Sequence, residues 1–302
     1  MTHAEAPGPT SRFGAWILAV RPKTLAAAVA PVLAGSGLAA AHGGFAWPPA
    51  LAALLGAVLI QIGTNLANDY YDFVRGGDTH ERVGPVRVTH AGLIAPAAVR
   101  RAMWLTLGTA LLVGVYLVWV AGWPIVAIGV ASLACAVLYT GGPYPLAYHG
   151  LGDIFVFLFF GLIAVGGTVY VQMLRLPPEA LLAGAGVGAL NTAILVANNL
   201  RDIETDARAG KRTLAVRLGV RATRLEYTAL LTVAFAVPVA GVLWTGWPAG
   251  ALAALALAPL AVAPLRRVLG FREPGELLPA LGETARLVAL YGVVLGAGLA
   301  FG

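Results

Sequence analysis

Charged residues are scarce in this chain, because only 11% of its 302 residues are Asp, Glu, Lys or Arg. Soluble domains carry about 25%, so the composition excludes an ordinary soluble protein. Cysteine is almost absent as well, and Cys135 is the only one. A single cysteine excludes an intramolecular disulfide and a thiol metal site. The chemistry of the chain is therefore expected among its few acidic, basic and amide side chains.

Apolar residues make up 59% of the chain, and the mean hydropathy is +0.81. Apolar runs of roughly 18 residues or more recur along the sequence, and each is long enough to cross a bilayer as a helix. We therefore predict an all-α, multi-pass membrane protein with nine transmembrane helices. The predicted spans are residues 15–40, 49–68, 102–120, 124–140, 152–173, 179–198, 226–244, 248–265 and 285–302.

The net charge of +6 comes from basic residues whose positions follow the predicted membrane topology. With the N-terminus in the cytoplasm, 19 of the 20 Lys and Arg residues lie in the inner segments or at the inner end of a predicted span, and only Arg175 lies outside. The positive-inside rule therefore predicts a protein of the inner (plasma) membrane with this orientation. Because membrane topology explains the excess of basic residues, we expect no nucleic-acid partner. The apolar outer surface of the spans is expected to contact membrane lipids.

Two long polar segments, residues 69–101 and 199–225, lie on the predicted inner side. Loops of this length in a compact protein usually carry function. Each follows a span that ends in Asn, opens with a pair of aspartates, and continues with Gly and basic residues. This shared layout predicts a single domain over 1–302 made of two related helical halves, about 1–140 and 141–302.

The two aspartate pairs are the strongest indication of chemistry. Asp69 and Asp72 are three residues apart, and Asp202 and Asp206 are four apart, so each pair can share a helix face. Two facing carboxylate pairs repel each other unless a divalent cation lies between them. Mg²⁺ takes few carboxylates and keeps room for phosphate oxygens. The pairs therefore predict a diphosphate that is held through Mg²⁺.

Amide and basic side chains surround both pairs. Carboxamides are expected as auxiliary metal ligands or substrate contacts, and Arg and Lys can neutralise the charge of a departing diphosphate. Asp153 opens a predicted span and is explained equally well as a helix cap. The additional candidates are Lys23, Asn65, Asn68, Asp78, Arg82, Arg87, Tyr139, Asn199 and Lys211.

The motifs resemble those of the UbiA superfamily of intramembrane prenyltransferases. The resemblance rests on Asn68-Asp-Tyr-Tyr-Asp72 and Asn198-Asn-Leu-Arg-Asp-Ile-Glu-Thr-Asp206, and Arg21-Pro-Lys-Thr-Leu25 and Tyr139-Thr-Gly-Gly-Pro-Tyr144 extend it along nearly the whole chain. Within that superfamily, the stretch Arg82-Val-Gly-Pro-Val-Arg87 is most similar to the branch that uses 1,4-dihydroxy-2-naphthoate. The resemblance implies a helical bundle with a central cavity, open to the inner leaflet and capped by the two cytoplasmic loops.

The resemblance also implies an activity: transfer of a polyprenyl group from polyprenyl diphosphate to 1,4-dihydroxy-2-naphthoate, giving demethylmenaquinone. Asp69, Asp72, Asp202 and Asp206 would be the catalytic carboxylates. The metal ligands would be these four together with Asn68, Asp78 and Asn199. The substrate-binding residues would be Lys23, Asn65, Asn68, Arg82, Arg87, Tyr139, Asn199 and Lys211.

Two alternatives remain at this level. A sister enzyme could transfer the prenyl group to 4-hydroxybenzoate, homogentisate or haem. A membrane transporter with acidic residues at midplane is the alternative from a different class. The sequence argues against a transporter, because the aspartates lie at the inner ends of the predicted spans, beside long basic loops, and not midway through them.

The predicted orientation can be tested with thiol labelling in intact cells. A cysteine introduced at Gly77 or Ala209, in a Cys135→Ala background, should resist a membrane-impermeant reagent because both positions are predicted to face the cytoplasm. A cysteine at Gly43, in a predicted outer connection, is the control that should react. Rapid labelling at Gly77 or Ala209 would contradict the span count or the orientation.

Overall fold

The computed structural model describes residues 11–76, 84 and 86–302, and these residues form helices, turns and loops without a β-strand. The all-α prediction is confirmed. The helices are α1 (Arg12–Val20), α2 (Ala26–Ala41), α3 (Trp47–Val74), α4 (Pro96–Ala121), α5 (Trp123–Leu138), α6 (Gly152–Phe157), α7 (Ala164–Met173), α8 (Glu179–Arg201), α9 (Ile203–Arg208), α10 (Leu214–Thr245), α11 (Ala258–Gly270) and α12 (Leu278–Phe301).

Seven helical segments in the described part of the chain are long and apolar enough to cross a membrane. They are Trp47–Val74, Pro96–Ala121, Gly152–Met173, Glu179–Arg201, Leu214–Thr245, Ala249–Gly270 and Pro274–Phe301. Each coincides with a predicted span, so the chain is a multi-pass membrane protein.

Two of the predicted spans have a different form. Residues 15–40 fall on α1 and α2, which are joined by the short helical turn Pro22–Thr24 and bent by 45°, and the bent pair counts as an eighth span if it crosses as one unit. Residues 124–140 fall on α5, which has only 16 residues. At 1.5 Å per residue this helix is about 24 Å long, shorter than a hydrocarbon core of about 30 Å.

The first and last long helices of the chain pack directly against each other. A Cβ atom added to Gly37 in α2 would lie 2.1 Å from the carbonyl oxygen of Gly296 in α12, so only glycine permits this approach. Leu38 of α2 and Leu295 of α12 are fully buried in the same apolar core as α8 and α10. The contact closes the bundle, and it places α2 with the helices of the second predicted half.

A second apolar core holds one of the polar segments in place. Val88 is fully buried there, against residues of α1, α3 and α4 that include Ala15, Leu66 and Met103. Burial of a Val side chain contributes about 1.5–3 kcal/mol. The chain beside Val88 is thereby held against the end of α3.

Candidate active site

A polar cavity of about 150 Å³ lies between the ends of α3 and α8 that carry the two motifs. The two motifs, about 130 residues apart in sequence, thus line the same cavity. Its walls are formed by Arg21, Asn68, Asp72, Arg87, Tyr139, Thr140, Ala147, Leu195, Asn198, Asn199, Asp202, Thr205, Asp206, Lys211 and Thr213.

On the α3 side, Asp72 contacts three polar side chains. Its Oδ2 accepts a hydrogen bond from Arg87 Nη2 at 2.8 Å, and its Oδ1 lies 3.2 Å from the Tyr148 hydroxyl and 3.4 Å from Lys211 Nζ. The residue is 2% exposed. A carboxylate with so little exposed surface requires charged partners. Each charge-assisted hydrogen bond stabilises it more than a hydrogen bond between neutral groups does.

Asn68 lies one helical turn before Asp72 and lines the same cavity. Its Oδ1 accepts a hydrogen bond from Thr140 Oγ1 at 2.9 Å. Residues four apart on a helix share a face, so the pair that α3 presents to the cavity is Asn68 with Asp72.

On the α8 side, Asn198, Asp202 and Asp206 follow each other at successive turns. The chain changes direction at Asp202 (φ −93°, ψ 9°), where α8 ends and α9 begins, and Asp206 N still bonds to Asp202 O at 2.7 Å. The bend keeps both carboxylates on the cavity wall.

Arg201 neutralises the buried Asp202. Its Nε and Nη2 donate to the two Asp202 oxygens at 2.7 and 2.6 Å, and Nη2 also lies 2.9 Å from Asn198 Oδ1. Arg201 is 2% exposed. The paired geometry is the one in which an arginine fork binds a carboxylate most strongly.

Asp69 differs from the expectation, because it does not line the polar cavity. Its Oδ2 and Oδ1 accept hydrogen bonds from the backbone N–H groups of Val88 and Thr89 at 3.1 and 3.0 Å, and Asp69 is 1% exposed. The side chain therefore anchors the segment that carries Arg87. Sequence spacing allowed Asp69 and Asp72 to share a face, but the neighbouring loop captures Asp69.

Arg21, in the connection between α1 and α2, lines the polar cavity. Lys23, in the same connection, is exposed and does not line it. Arg21 has a left-handed backbone (φ 55°) because it ends α1 and starts the Pro22–Thr24 turn. Its Nη2 lies 3.9 Å from Asp69 Oδ2. Non-glycine residues adopt this conformation at a cost and often at functional sites.

Tyr148, which the sequence did not mark as a site residue, connects the two motif regions. Its hydroxyl donates to Asp72, its carbonyl oxygen accepts from Arg212 N at 2.9 Å, and Lys211 Nζ lies 4.9 Å from its ring centre. The Gly/Pro-rich character of residues 139–150 was the available signal, since such breaks line cavities in membrane proteins.

A larger, mostly apolar cavity of about 570 Å³ adjoins the polar one. Asn68, Tyr139 and Leu195 line both cavities and mark their junction. The Tyr139 phenol can donate a hydrogen bond at this junction.

The remaining predicted residues are distributed around these cavities. Asn199 lines the polar cavity, and Asn65 lines the apolar one, where its Nδ2 donates to Val20 O and Thr24 Oγ1, both at 2.8 Å. Asp78 and Arg82 lie outside the described residues.

The donor set of the polar cavity fits Mg²⁺. The carboxylates of Asp72, Asp202 and Asp206 and the amide oxygens of Asn68 and Asn198 are hard oxygen ligands, as Mg²⁺ requires. In the part of the chain that is described, no three Asp, Glu, His or Cys side chains converge closely enough to hold a metal ion by themselves. Mg²⁺ typically binds through one or two carboxylates and completes its shell with water and phosphate oxygens.

Comparison with known proteins identifies similar sequences over the full chain. The model of the UbiA prenyltransferase family matches residues 28–281. The chain is 44% identical over 290 residues to the 1,4-dihydroxy-2-naphthoate octaprenyltransferase of Mycobacterium tuberculosis, covering 96% of this chain and 98% of that one. It is 38% identical to the protein of the same name from Haemophilus influenzae, covering 95% and 96%.

Solved structures share the fold at low sequence identity. The apo structure of a UbiA homolog from Aeropyrum pernix superposes with a TM-score of 0.67 at 17% identity, covering 90% of this chain and 96% of that one. A UbiA homolog from Archaeoglobus fulgidus, bound to GPP and Mg²⁺, gives 0.64 at 16% identity, covering 93% and 99%.

The anchoring role of Asp69 predicts a loss of stability in Asp69→Asn. The substitution replaces one acceptor oxygen with an NH₂ group that faces a backbone N–H, and an unsatisfied buried donor costs about 1–3 kcal/mol. We expect the free energy of unfolding to fall by that amount, measured by thermal unfolding in detergent. Glu204→Gln, at an exposed acid in α9, is the control that should leave stability unchanged. Unchanged stability in Asp69→Asn would contradict the anchoring role.

Proposed function

The chain belongs to the UbiA prenyltransferase family, and from that premise we propose that it transfers a polyprenyl group from polyprenyl diphosphate to 1,4-dihydroxy-2-naphthoate. The names of full-length relatives support the acceptor. The reaction breaks the allylic C–O bond of the diphosphate and forms a bond to an electron-rich ring carbon. Release of the carboxyl group as CO₂ and of diphosphate leaves the reduced form of demethylmenaquinone.

The observation that carries this proposal is the junction of an apolar and a polar cavity at Asn68, Tyr139 and Leu195. A polyprenyl diphosphate has the same two-part character: a hydrocarbon tail and a strongly anionic head. With its tail in the apolar cavity and its head in the polar one, the allylic C–O bond lies at the junction. Removing the tail from water contributes about 0.8 kcal/mol per buried CH₂ group.

The membrane arrangement follows the same logic. We place the polar cavity at the cytoplasmic face of the inner membrane, because the basic segments of the chain surround it. The polar segments after α3 and α8 then form a cytoplasmic cap over the cavity. Together with the seven long spans and the bent α1–α2 pair, the short helix α5 brings the number of spans to nine. A locally thinned bilayer or the residues that flank α5 can compensate for its short length.

The ion pairs of the polar cavity prepare it for this ligand. Asp72 now neutralises Arg87 and Lys211, and Asp202 neutralises Arg201. The carboxylates would hold the metal of a metal-diphosphate complex, and the basic side chains would donate to its phosphate oxygens. Each buried charge would then have a partner both in the empty cavity and with the ligand bound, which avoids the cost of an isolated charge.

We assign the ligation of Mg²⁺ to Asp72, Asp202 and Asp206, with Asn68, Asn198 and Asn199 as auxiliary ligands or as supports. When bound, Mg²⁺ supplies electrostatic stabilisation of the negative charge that grows on the departing diphosphate. Asp78 stays a candidate ligand from the sequence. Asp69 acts as a positioning residue, because both of its oxygens hold the backbone beside Arg87.

The other groups of the chain bind, orient and exclude water. Arg21, Arg87 and Lys211 line the polar cavity and donate to the anionic groups of the two substrates. Arg82 is a further candidate from the sequence, whereas Lys23 is not expected to reach the diphosphate. Tyr139 donates a hydrogen bond at the junction. The apolar walls keep water away from the allylic cation.

The metal assignment predicts that Asp72→Asn and Asp202→Asn each lower turnover by at least about 10²–10³-fold, because each removes a charge that holds the diphosphate complex. The measurement is transfer of labelled prenyl groups by purified protein with Mg²⁺ and with excess EDTA. Glu204→Gln, which alters an exposed carboxylate in the same region, should retain activity. Near-normal activity in either variant, or full activity in EDTA, would contradict the assignment.

The acceptor is tested by direct competition between ring systems. We expect purified protein to prenylate 1,4-dihydroxy-2-naphthoate with a kcat/KM well above that for 4-hydroxybenzoate or homogentisate, when all are assayed with the same prenyl diphosphate. Equal kcat/KM values would refute the acceptor assignment and leave the prenyl-transfer chemistry intact.

A further inference from the structure

Two of the three residues at the junction of the cavities contact the same glycine. Gly152 is buried at the start of α6. A Cβ atom added to it would lie 2.9 Å from the hydroxyl oxygen of Tyr139 and 3.3 Å from Cδ2 of Leu195. Gly152 itself lines neither cavity. It therefore supports the junction through the two side chains that lie against it.

The backbone at Gly152 does not require glycine. Its φ is not in the positive region, and within a helix glycine is less stable than alanine. The requirement comes from the Tyr139 hydroxyl, because 2.9 Å is shorter than the separation of about 3.5 Å at which non-bonded atoms attract each other. Cζ of the same ring would lie 3.6 Å from the added atom, which is an ordinary contact. The hydroxyl is thus the first group that a methyl at this position would displace.

A displaced phenol changes the place where the reaction occurs. The proposed function puts the allylic C–O bond at the junction of Asn68, Tyr139 and Leu195. A misplacement of about 1 Å in such a site can lower the rate about 10²-fold. The prenyl tail and the diphosphate have their other contacts deeper in the two cavities, so their binding depends less on the position of this one ring.

We propose that Gly152 is a positioning residue for prenyl transfer: the absence of a side chain there sets the position of the Tyr139 phenol at the junction. This inference rests on the proposed function. Gly152 acts through Tyr139 and Leu195, because it lines neither cavity itself.

The experiment combines Gly152→Ala with Tyr139→Phe. The kcat for transfer of labelled prenyl groups is expressed per competent site, and competent sites are counted by calorimetric binding of geranyl diphosphate with Mg²⁺. Gly152→Ala should lower kcat about tenfold or more, with little change in the dissociation constant of geranyl diphosphate. Tyr139→Phe loses a hydrogen-bond donor and should also have a lower kcat than the wild type. The double variant should have the same kcat as Tyr139→Phe, because the group that clashes with the methyl is gone.

Gly186→Ala is the matched control. A Cβ atom at Gly186 would lie 2.7 Å from the hydroxyl oxygen of the fully buried Tyr291, so the substitution creates the same kind of clash. Neither Gly186 nor Tyr291 lines a cavity of the site. This variant should lose stability in thermal unfolding and keep the wild-type kcat per competent site.

Three results would overturn the inference: a wild-type kcat in Gly152→Ala, an equal loss of kcat in Gly186→Ala, or a loss that persists when Gly152→Ala is added to Tyr139→Phe. If Gly152→Ala yields no competent sites, the substitution is made in Leu195→Ala, where the shortened side chain gives the phenol room to move. There it should still lower kcat relative to Leu195→Ala alone, and an equal kcat overturns the inference.

The proposed function fails separately. If the wild type does not prenylate 1,4-dihydroxy-2-naphthoate, the proposed acceptor is wrong. If the wild type does so and any of the overturning results is found, only the inference about Gly152 is wrong.

Discussion

The structure depends on the pairing of a few charges at one end of an otherwise apolar bundle. Asp72 and Asp202 are 2% and 5% exposed, and each lies against an arginine at hydrogen-bond distance. A buried charge without a partner costs several kcal/mol. The elements around the cavity therefore all position a basic side chain beside each buried carboxylate.

Several of these elements act through main-chain contacts. Asp69 binds two backbone N–H groups beside Arg87, and the buried Val88 adds apolar anchoring to the same segment. Tyr148 binds Asp72 with its hydroxyl and Arg212 with its carbonyl oxygen. The cavity is thus held by connections between elements that lie far apart in sequence, and this rigidity preorganises the charges for an anionic ligand.

The boundary between polar and apolar surface gives the bundle its function. Along α3, the side chains change over about three turns from the charged Asp72, through the amide Asn68, to Gln61 within the mostly apolar wall. A substrate with an anionic head and a hydrocarbon tail can bind in one orientation only.

Hydrophobic runs and charge asymmetry are local properties, so the sequence by itself determined the helical membrane fold, the positions of seven of the nine predicted spans and the two motif segments. Which side of a helix faces a cavity depends on its neighbours, and only the tertiary structure decided it. Asp69 turned to the loop because two backbone N–H groups lie there. Arg21 reached the cavity in place of Lys23 because the chain reverses at a left-handed residue. Both outcomes depend on segments that meet only after folding, and local periodicity carries no information about such contacts.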